Sequence, residues 1–456
     1  MLDVLANRTY RHLFLAQIIA LLGTGLLTVA LGLLAFALAG EKAGAVLGTA
    51  LAVKMIAYVT VAPVVGAFAA QLPRRAFLIA MDLVRAGIAL LLPFVSEVWQ
   101  IYVLIYLLQS ASAAFTPTFQ ATIPDVLPEE ADYTRALSLS RLAYDLESLV
   151  SPALAALLLS LVSFHWLFSG TVVGFLCSAA LVLSVSLPAS PAAHRQGGIY
   201  DKTTRGMRIY LATPRLRGLL ALNMAAAAGG ALVIVNTVVI VKGWLGLGDG
   251  QVALALACFG GGSMLAALVL PRILDKLPDR RVMLSAAFWL GLILTFFSAS
   301  LFAASGTGTT NATLPAGSQV WSLLLLTWLL LGIGYSAVQT PSGRLLRRSA
   351  QAADRPAVFA AQFALSHACW LVTYPLAGWL GATLPLAVTA LAFSALTFAA
   401  LVVAAQVWPA ADAETQVHSH DDLPPDHPHL VEADGHRHDH AFVIDDLHTR
   451  WPSRAN

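Results

Sequence analysis

PASPAAHRQGGIYDKTTRGMRIYLATP, running from Pro188 to Pro214, is the stretch whose reading decides the fold. It is basic, carries proline and glycine, and is twice as long as most other polar gaps in the 456 residues. Six long apolar stretches precede it, at 12–38, 45–70, 76–96, 98–118, 135–158 and 163–187. Six more follow, at 215–241, 250–271, 281–304, 319–341, 356–380 and 383–408. Crossing about 30 Å of hydrocarbon takes roughly 20 apolar residues per helix, which each stretch supplies, whereas the alternation that membrane strands need is absent. With 58% hydrophobic and 11% charged residues, the chain has too little polar surface to cover a soluble globule. The expectation is an all-α membrane protein of twelve transmembrane helices in two lobes, 1–187 and 215–408. A linker at 188–214 joins them, and a disordered tail occupies 409–456.

Basic residues give the orientation. Of 27 lysines and arginines, 19 fall in gaps on the side of both termini and two, Lys42 and Lys242, on the other. Lys54, Arg85 and Arg141 lie inside spans, and three more are in the tail. By the positive-inside rule both ends are cytoplasmic, in a cytoplasmic (inner) membrane of bacterial type. Arg8 and Arg11 precede an apolar run too long for a signal-peptide core, so the first span is read as uncleaved. Cys177, Cys258 and Cys369 sit singly in spans and read as small buried side chains.

The tail is of another kind. Eight of the twelve histidines lie between His418 and His448, and ten of the 25 acidic residues follow residue 408. Its prolines and scarcity of large apolar side chains leave too little surface to bury for independent folding. His418 and His420, His427 and His429, and His436, His438 and His440 are spaced by two, which puts neighbouring imidazoles on one side of an extended chain. Such pairs, with His448 and the interleaved aspartates, suit nickel, copper, zinc or cobalt over magnesium or calcium. The affinity order favours copper, so the tail does not choose the metal.

Within the spans, charge costs about 2.5–3.5 kcal/mol per group at mid-bilayer, so each such residue calls for a partner or a task. Arg141 and Asp145, four apart, share a helix face, and Asp82 and Arg85, three apart, form a second pair. Glu147 points away from Asp145 and has no cation three or four positions along its helix. At 1.5 Å per residue, Lys54, Asp145, Glu147 and His367 all fall about 14–18 Å from their helix ends, near the midplane. Gln17, Thr24, Gln109, Asn223, Asn236, Tyr335 and Gln339 are polar positions that either line a cavity or join helices.

The halves echo one another. LPRR at Leu72 to Arg75 follows the second span and LPDRR at Leu277 to Arg281 the eighth, while SPALAALL at Ser151 answers YPLAGWLG at Tyr374. In its six-plus-six layout, long central loop and basic turns, the chain resembles the major facilitator superfamily over residues 1–408. The family signature after span two, G-x-x-x-D-R-x-G-R-R, is met by GAFAAQLPRR, with Gly66, Arg74 and Arg75 in place, Ala70 for the acid and Pro73 for the glycine. The resemblance implies a gating loop at these residues, and in the second half at Asp275, Arg280 and Arg281. It also implies that spans two, five, eight and eleven flank the lobe interface, which places Lys54, Asp145, Glu147 and His367 at a central site.

MDLVRAG at Met81 and RALSLSRLAYDLESLVSPALAALL in span five are similar to the branch of macrolide, siderophore and lysolipid exporters. With the histidine-rich end, the whole resembles nickel-resistance permeases of the NreB type. That resemblance implies export of nickel, or cobalt, by proton antiport. Glu147, Asp145, Arg141, Lys54, Asp82 and Arg85 are then candidates for coupling, and His367, Glu147 and Asp145 for the transmembrane metal site. Export of a drug, siderophore or lysolipid, and a membrane metal sensor without transport, stand as alternatives. The loops hold no catalytic triad, phosphate cradle or closed metal pattern, so an enzyme is not expected. The expected partners are the lipid bilayer, the metal ion as substrate and protons, with no cofactor, no nucleic acid and a monomeric chain.

Overall fold

In lipid a backbone has no water to bond, so apolar runs satisfy their own N–H and C=O groups by winding into helices. Among the described residues, the computed structural model shows twelve long helices. The first six are α1 (Arg8–Ala39), α2 (Ala43–Ala69), α3 (Arg74–Leu91), α4 (Val98–Val126), α5 (Glu130–Leu159) and α6 (His165–Leu183). A short helix α7 (Ile199–Ala212) precedes α8 (Pro214–Val238), α9 (Asp249–Leu274), α10 (Asp279–Ser305) and α11 (Ser318–Gln339). A second short helix α12 (Ser342–Arg348) leads to α13 (Arg355–Thr383) and α14 (Leu386–Val407). The structure describes residues 2–39, 43–69, 72–188, 199–305, 318–410, 415–419 and 437–452. Among them, ten helices are long and apolar enough to cross a membrane by length and composition.

Two differences from the expected spans have physical causes. The fourth runs to Val126 rather than ending at 118, because Pro117 and Pro124 are carried within α4. Neighbouring helices and local adjustment let membrane helices keep proline. The linker also contains α7, whose buried Ile209 and Tyr210 give it an apolar face among basic residues.

Helices α1–α6 pack on one another, chiefly α1 on α6, α2 on α4 and α3 on α6, and form the first lobe. Helices α8–α11, α13 and α14 form the second, led by α9 on α11 and α10 on α14. The α9–α11 crossing is set by reciprocal glycines. A methyl group at Gly262 would run into the Leu329 carbonyl, and one at Gly332 into that of Phe259. Backbones this close are how membrane helices gain dispersion contact without a hydrophobic driving force. The lobes meet along two seams, α2 with α13 and α5 with α9. Ala62, Ala113, Phe363 and Ala364 close the first seam, with Tyr58, Val61 and Met207 against them.

Beyond α14, strands β1 (Thr415–Ser419) and β2 (Arg437–Ala441) pair antiparallel, with His418 opposite His438 and Gln416 opposite His440. His420, His427, His429 and His436 lie outside the described residues. Phe442 and Ile444 are buried in the core of the second lobe, and Trp451 packs against it.

Candidate transport site

The α2–α13 and α5–α9 seams decide which intramembrane charges meet. Lys54 on α2 stands with its ammonium 5.6 Å from the centre of the Tyr58 ring, one turn along the same helix. Tyr58 packs edge-on against His367 of α13 at 4.7 Å and donates a hydrogen bond to Gln109 Oε1 at 2.7 Å. Lys54 lies within electrostatic reach of Glu147 on α5 and of His367. Glu147 has the cation that its own helix does not provide, and sits beside Ser151 against Gly25 of α1, where a larger residue would collide with it. Lys54, Glu147 and His367 thus share one layer, drawn from both lobes.

His367 is oriented from within its own helix. Its Nδ1 is 2.7 Å from the Phe363 carbonyl oxygen, which only accepts, so Nδ1 carries the proton. In the neutral ring Nε2 then holds a lone pair, the form that binds metals or takes up a proton. Phe363 flanks the ring at 4.2 Å between centroids. Cys369 turns back to the Leu365 carbonyl and does not join it.

Arg141 and Asp145 form the expected pair at 2.7 Å. Arg141 also crosses to the second lobe, donating from Nε to Ser263 Oγ at 3.0 Å and lying 4.7 Å over the Tyr335 ring. Asp82 and Arg85 are paired too, but deep in the first lobe. Asp82 is fully buried and accepts from Ser178 Oγ at 2.8 Å, while Arg85 lies between the rings of Phe115 and Phe175. Asp82 and Arg85 therefore hold α3 to α4 and α6 and stand apart from the seam.

Among the described residues no three His, Cys, Asp or Glu side chains stand close enough to hold a metal together. His367, Glu147 and Asp145 are not a closed cage. Thr24 bonds to Ala20 O of its own helix, Asn236 ties α8 to the Ala377 carbonyl, and Asn223 donates to Gln362 at 3.4 Å.

The face that carries both termini is closed by arginines. Arg74 of α3 and Arg355 of α13 hold the Asp125 carboxylate at the end of α4 between them, the former at 2.6 Å. Arg344 of α12 reaches Glu130 at 2.6 Å and Thr134 Oγ1 at 3.1 Å on α5. Arg344 and Arg348 also stand 3.2 and 3.5 Å from the buried Asp279 at the start of α10. Arg347 donates to the Pro128 carbonyl. Of the gating residues named from sequence, Arg74 holds Asp125 within the first lobe, and Arg355 ties that same carboxylate to the second. Arg75 instead bonds to Leu183 O, and Arg280 to Trp408 O at 2.9 Å, capping α6 and α14. Gly66 lies near the end of α2, and Asp275 and Arg281 are exposed. Sequence reasoning passed over Asp125, Glu130, Asp279, Arg344 and Arg355 because the positive-inside rule had already accounted for basic loops. The signal was four arginines within 344–355 facing three lone acids.

The sequence profile of the Major Facilitator Superfamily matches residues 13–246. Macrolide efflux protein A of Enterococcus faecalis is 27% identical over 136 residues, 29% of this chain and 42% of that protein. Its counterpart in Streptococcus pyogenes is 27% identical over 155 residues, 32% of this chain and 38% of that one. The chain thus matches about two fifths of the length of these relatives. The crystal structure of the human organic anion transporter MFSD10 (TETRAN) superposes with a TM-score of 0.67 at 13% identity, over 87% of this chain and 99% of that one, a likeness of fold. The profile covers half the chain and the paired six-helix lobes fit it: the chain belongs to the Major Facilitator Superfamily.

Proposed function

We propose that this protein is a secondary exporter of divalent transition-metal cations, nickel or cobalt, driven by protons moving the opposite way. The observation that carries the reading is the fastening of the histidine-bearing tail. Phe442, Ile444 and Trp451 pack on the terminal face, and His440 and His448, the described histidines beside them, stand there with them. In this reading that face is cytoplasmic, as the excess of basic residues asks, and the tail gathers cations at the entrance.

The central layer then supplies the exchange. With the arginine ties parted, a cation reaches His367 Nε2 and the carboxylates of Glu147 and Asp145, which shed protons to meet it. Lys54 steadies the Glu147 carboxylate, and Arg141 that of Asp145, only in the interval after the cation leaves and before protons return. Protons arriving after the lobes rock restore the empty state. A cargo must be released, so a sparse set of protein ligands suits transport better than the four-ligand cage of a structural metal site.

Inside-out vesicles test this. Nickel accumulation that depends on an imposed proton gradient is the expected result, with cobalt, zinc and copper run in parallel. Folded protein that moves none of the four sinks the reading. One observation favours a second reading: the named relatives are macrolide efflux proteins, and Phe259, Tyr335, Trp370 and Tyr374 form an aromatic chain beside Arg141. Under that reading the cargo is amphiphilic, and cells carrying the protein resist lipophilic compounds rather than metal salts.

A further inference from the structure

The segment after β2 does more than rest on the second lobe. Phe442 and Ile444 are 3% and 5% exposed, and Arg215 at the start of α8 gathers the chain around them. Arg215 donates to Phe442 O at 3.4 Å, to Arg348 O at 3.3 Å and to Ser349 Oγ at 2.9 Å, with its guanidinium 5.2 Å over Trp451. Asp445 accepts from Gln351 at 2.8 Å. Asp446 takes Nη1 of Arg205 at 2.7 Å, while Nε of the same arginine holds Asp354 at 2.7 Å. Burial opposes the Arg205 charge, and the two carboxylates outweigh it, so its guanidinium is held charged more firmly than a free one.

Two features give these contacts mechanical weight. Asp445 reaches Gln351 directly, and Arg215 and Arg205 link the tail to Ser349 and Asp354, all in the short connection from α12 to α13; on either side of it stand Arg344, Arg347 and Arg355, which reach the first lobe. Arg205 belongs to α7, and α7 packs against both α2 and α13, astride a seam. Its Met207 enters the seam cluster, Tyr210 donates to Gln362, and Gly206 lies so tightly on the Ala357 carbonyl that no side chain fits. The tail therefore grips both the helix that bridges the lobes and the connection that the gate arginines flank.

The grip begins at a histidine. The His440 ring is 5.1 Å from that of His448 and stacks on Phe442 at 6.4 Å. His448 is buried, lies 4.7 Å from Phe442 and is held by Asp445 at 2.9 Å from Nδ1. Drawing His440 toward a cation on the β1–β2 ribbon would pull on the seat of Phe442, the first residue of the grip.

We propose that residues 442–452 are a latch that biases the terminal face closed, and that a divalent transition metal gathered by the adjoining histidines is the signal that loosens it. The signal, though not the latch, rests on the metal reading above.

The test is FRET across the terminal face of the purified full chain in nanodiscs. Dyes are placed at exposed Ser184 and Lys276, with Cys177, Cys258 and Cys369 replaced by alanine. Without metal, a chain ending at Ala441 shows at least a threefold larger population at long distance, and Asp446→Asn a smaller rise. Should the shortened chain fail to fold, Asp446→Asn combined with Gln351→Ala carries the same comparison. An unchanged distance distribution in folded variants overturns the latch. Nickel chloride brings the full chain to the level of the shortened one, does nothing further to the latter, and loses its effect in His440→Ala. Nickel retained on equilibrium dialysis without a change in distance overturns the signal alone. No retention overturns the signal together with the metal reading, and the truncation still decides the latch.

Discussion

The two lobes have equal numbers of long helices but keep their charge in different places. The first carries Lys54, Asp82, Arg85, Arg141, Asp145 and Glu147 inside the membrane. The second contributes His367 at that depth and is joined elsewhere by neutral bonds, such as Trp328 Nε1 to Thr237 Oγ1 at 2.8 Å and Ser298 to Ala387 O at 2.7 Å. Its own arginines, Arg344, Arg347, Arg348 and Arg355, stand at the terminal face. Charge sunk in a helix bundle is strong, slow to rearrange and suited to exchanging protons or ions. Charge at an interface between rigid bodies is weaker and suited to being made and broken in each cycle.

Substitutions can break that contrast. The largest effect falls on Asp82→Asn, which leaves the Arg85 charge buried and uncompensated. Losing one partner of a buried pair costs about 3–5 kcal/mol, read as a lower unfolding temperature of the purified protein. Asp82→Leu with Arg85→Leu should recover most of it, and no recovery would mean that the pair is not the cause. Next, Glu147→Gln should leave folding intact and cut proton-driven transport at least tenfold; full transport would remove Glu147 from the coupling. Asp125→Asn, which releases Arg74 and Arg355, should change the balance of lobe positions by about 1 kcal/mol. That is about a fivefold shift toward an open terminal face, measurable as faster labelling of a cysteine placed between the lobes. If it lowers stability as far as Asp82→Asn does, the contrast between the lobes fails. Asp275→Asn, at an exposed position, should change stability by no more than about 0.5 kcal/mol.

Much of this was legible in the chain. Continuous apolar runs leave helix as the one solution in lipid, so the number and order of spans followed from hydropathy. Arg141 with Asp145 and Asp82 with Arg85 followed from helical periodicity, because a neighbour three or four residues away is settled locally. The nearness of Lys54, Glu147 and His367 was half legible. Depth along each helix set their level, but which faces turn toward the seam depends on packing that periodicity does not encode. The ties of Asp125 and Asp279 to their arginines were hidden, since they span distant residues and each acid looks like an ordinary loop charge. The docking of 442–452 was missed because the tail was weighed as a whole. Phe442, Val443, Ile444, Leu447 and Trp451 form a local apolar sequence that the surrounding acids and histidines dilute.

At the other end of the tail, Trp408 is fully buried over Gly218, and Arg280 caps its carbonyl. With Phe442 seated as well, the second lobe holds the chain at Trp408 and again at Phe442. Joining two seated points through a connecting segment costs an entropy that grows only logarithmically with the segment's length. The return is in local concentration. Side chains on a tether that begins and ends on one protein face meet that face at an effective concentration on the order of millimolar, however dilute the protein is in its membrane.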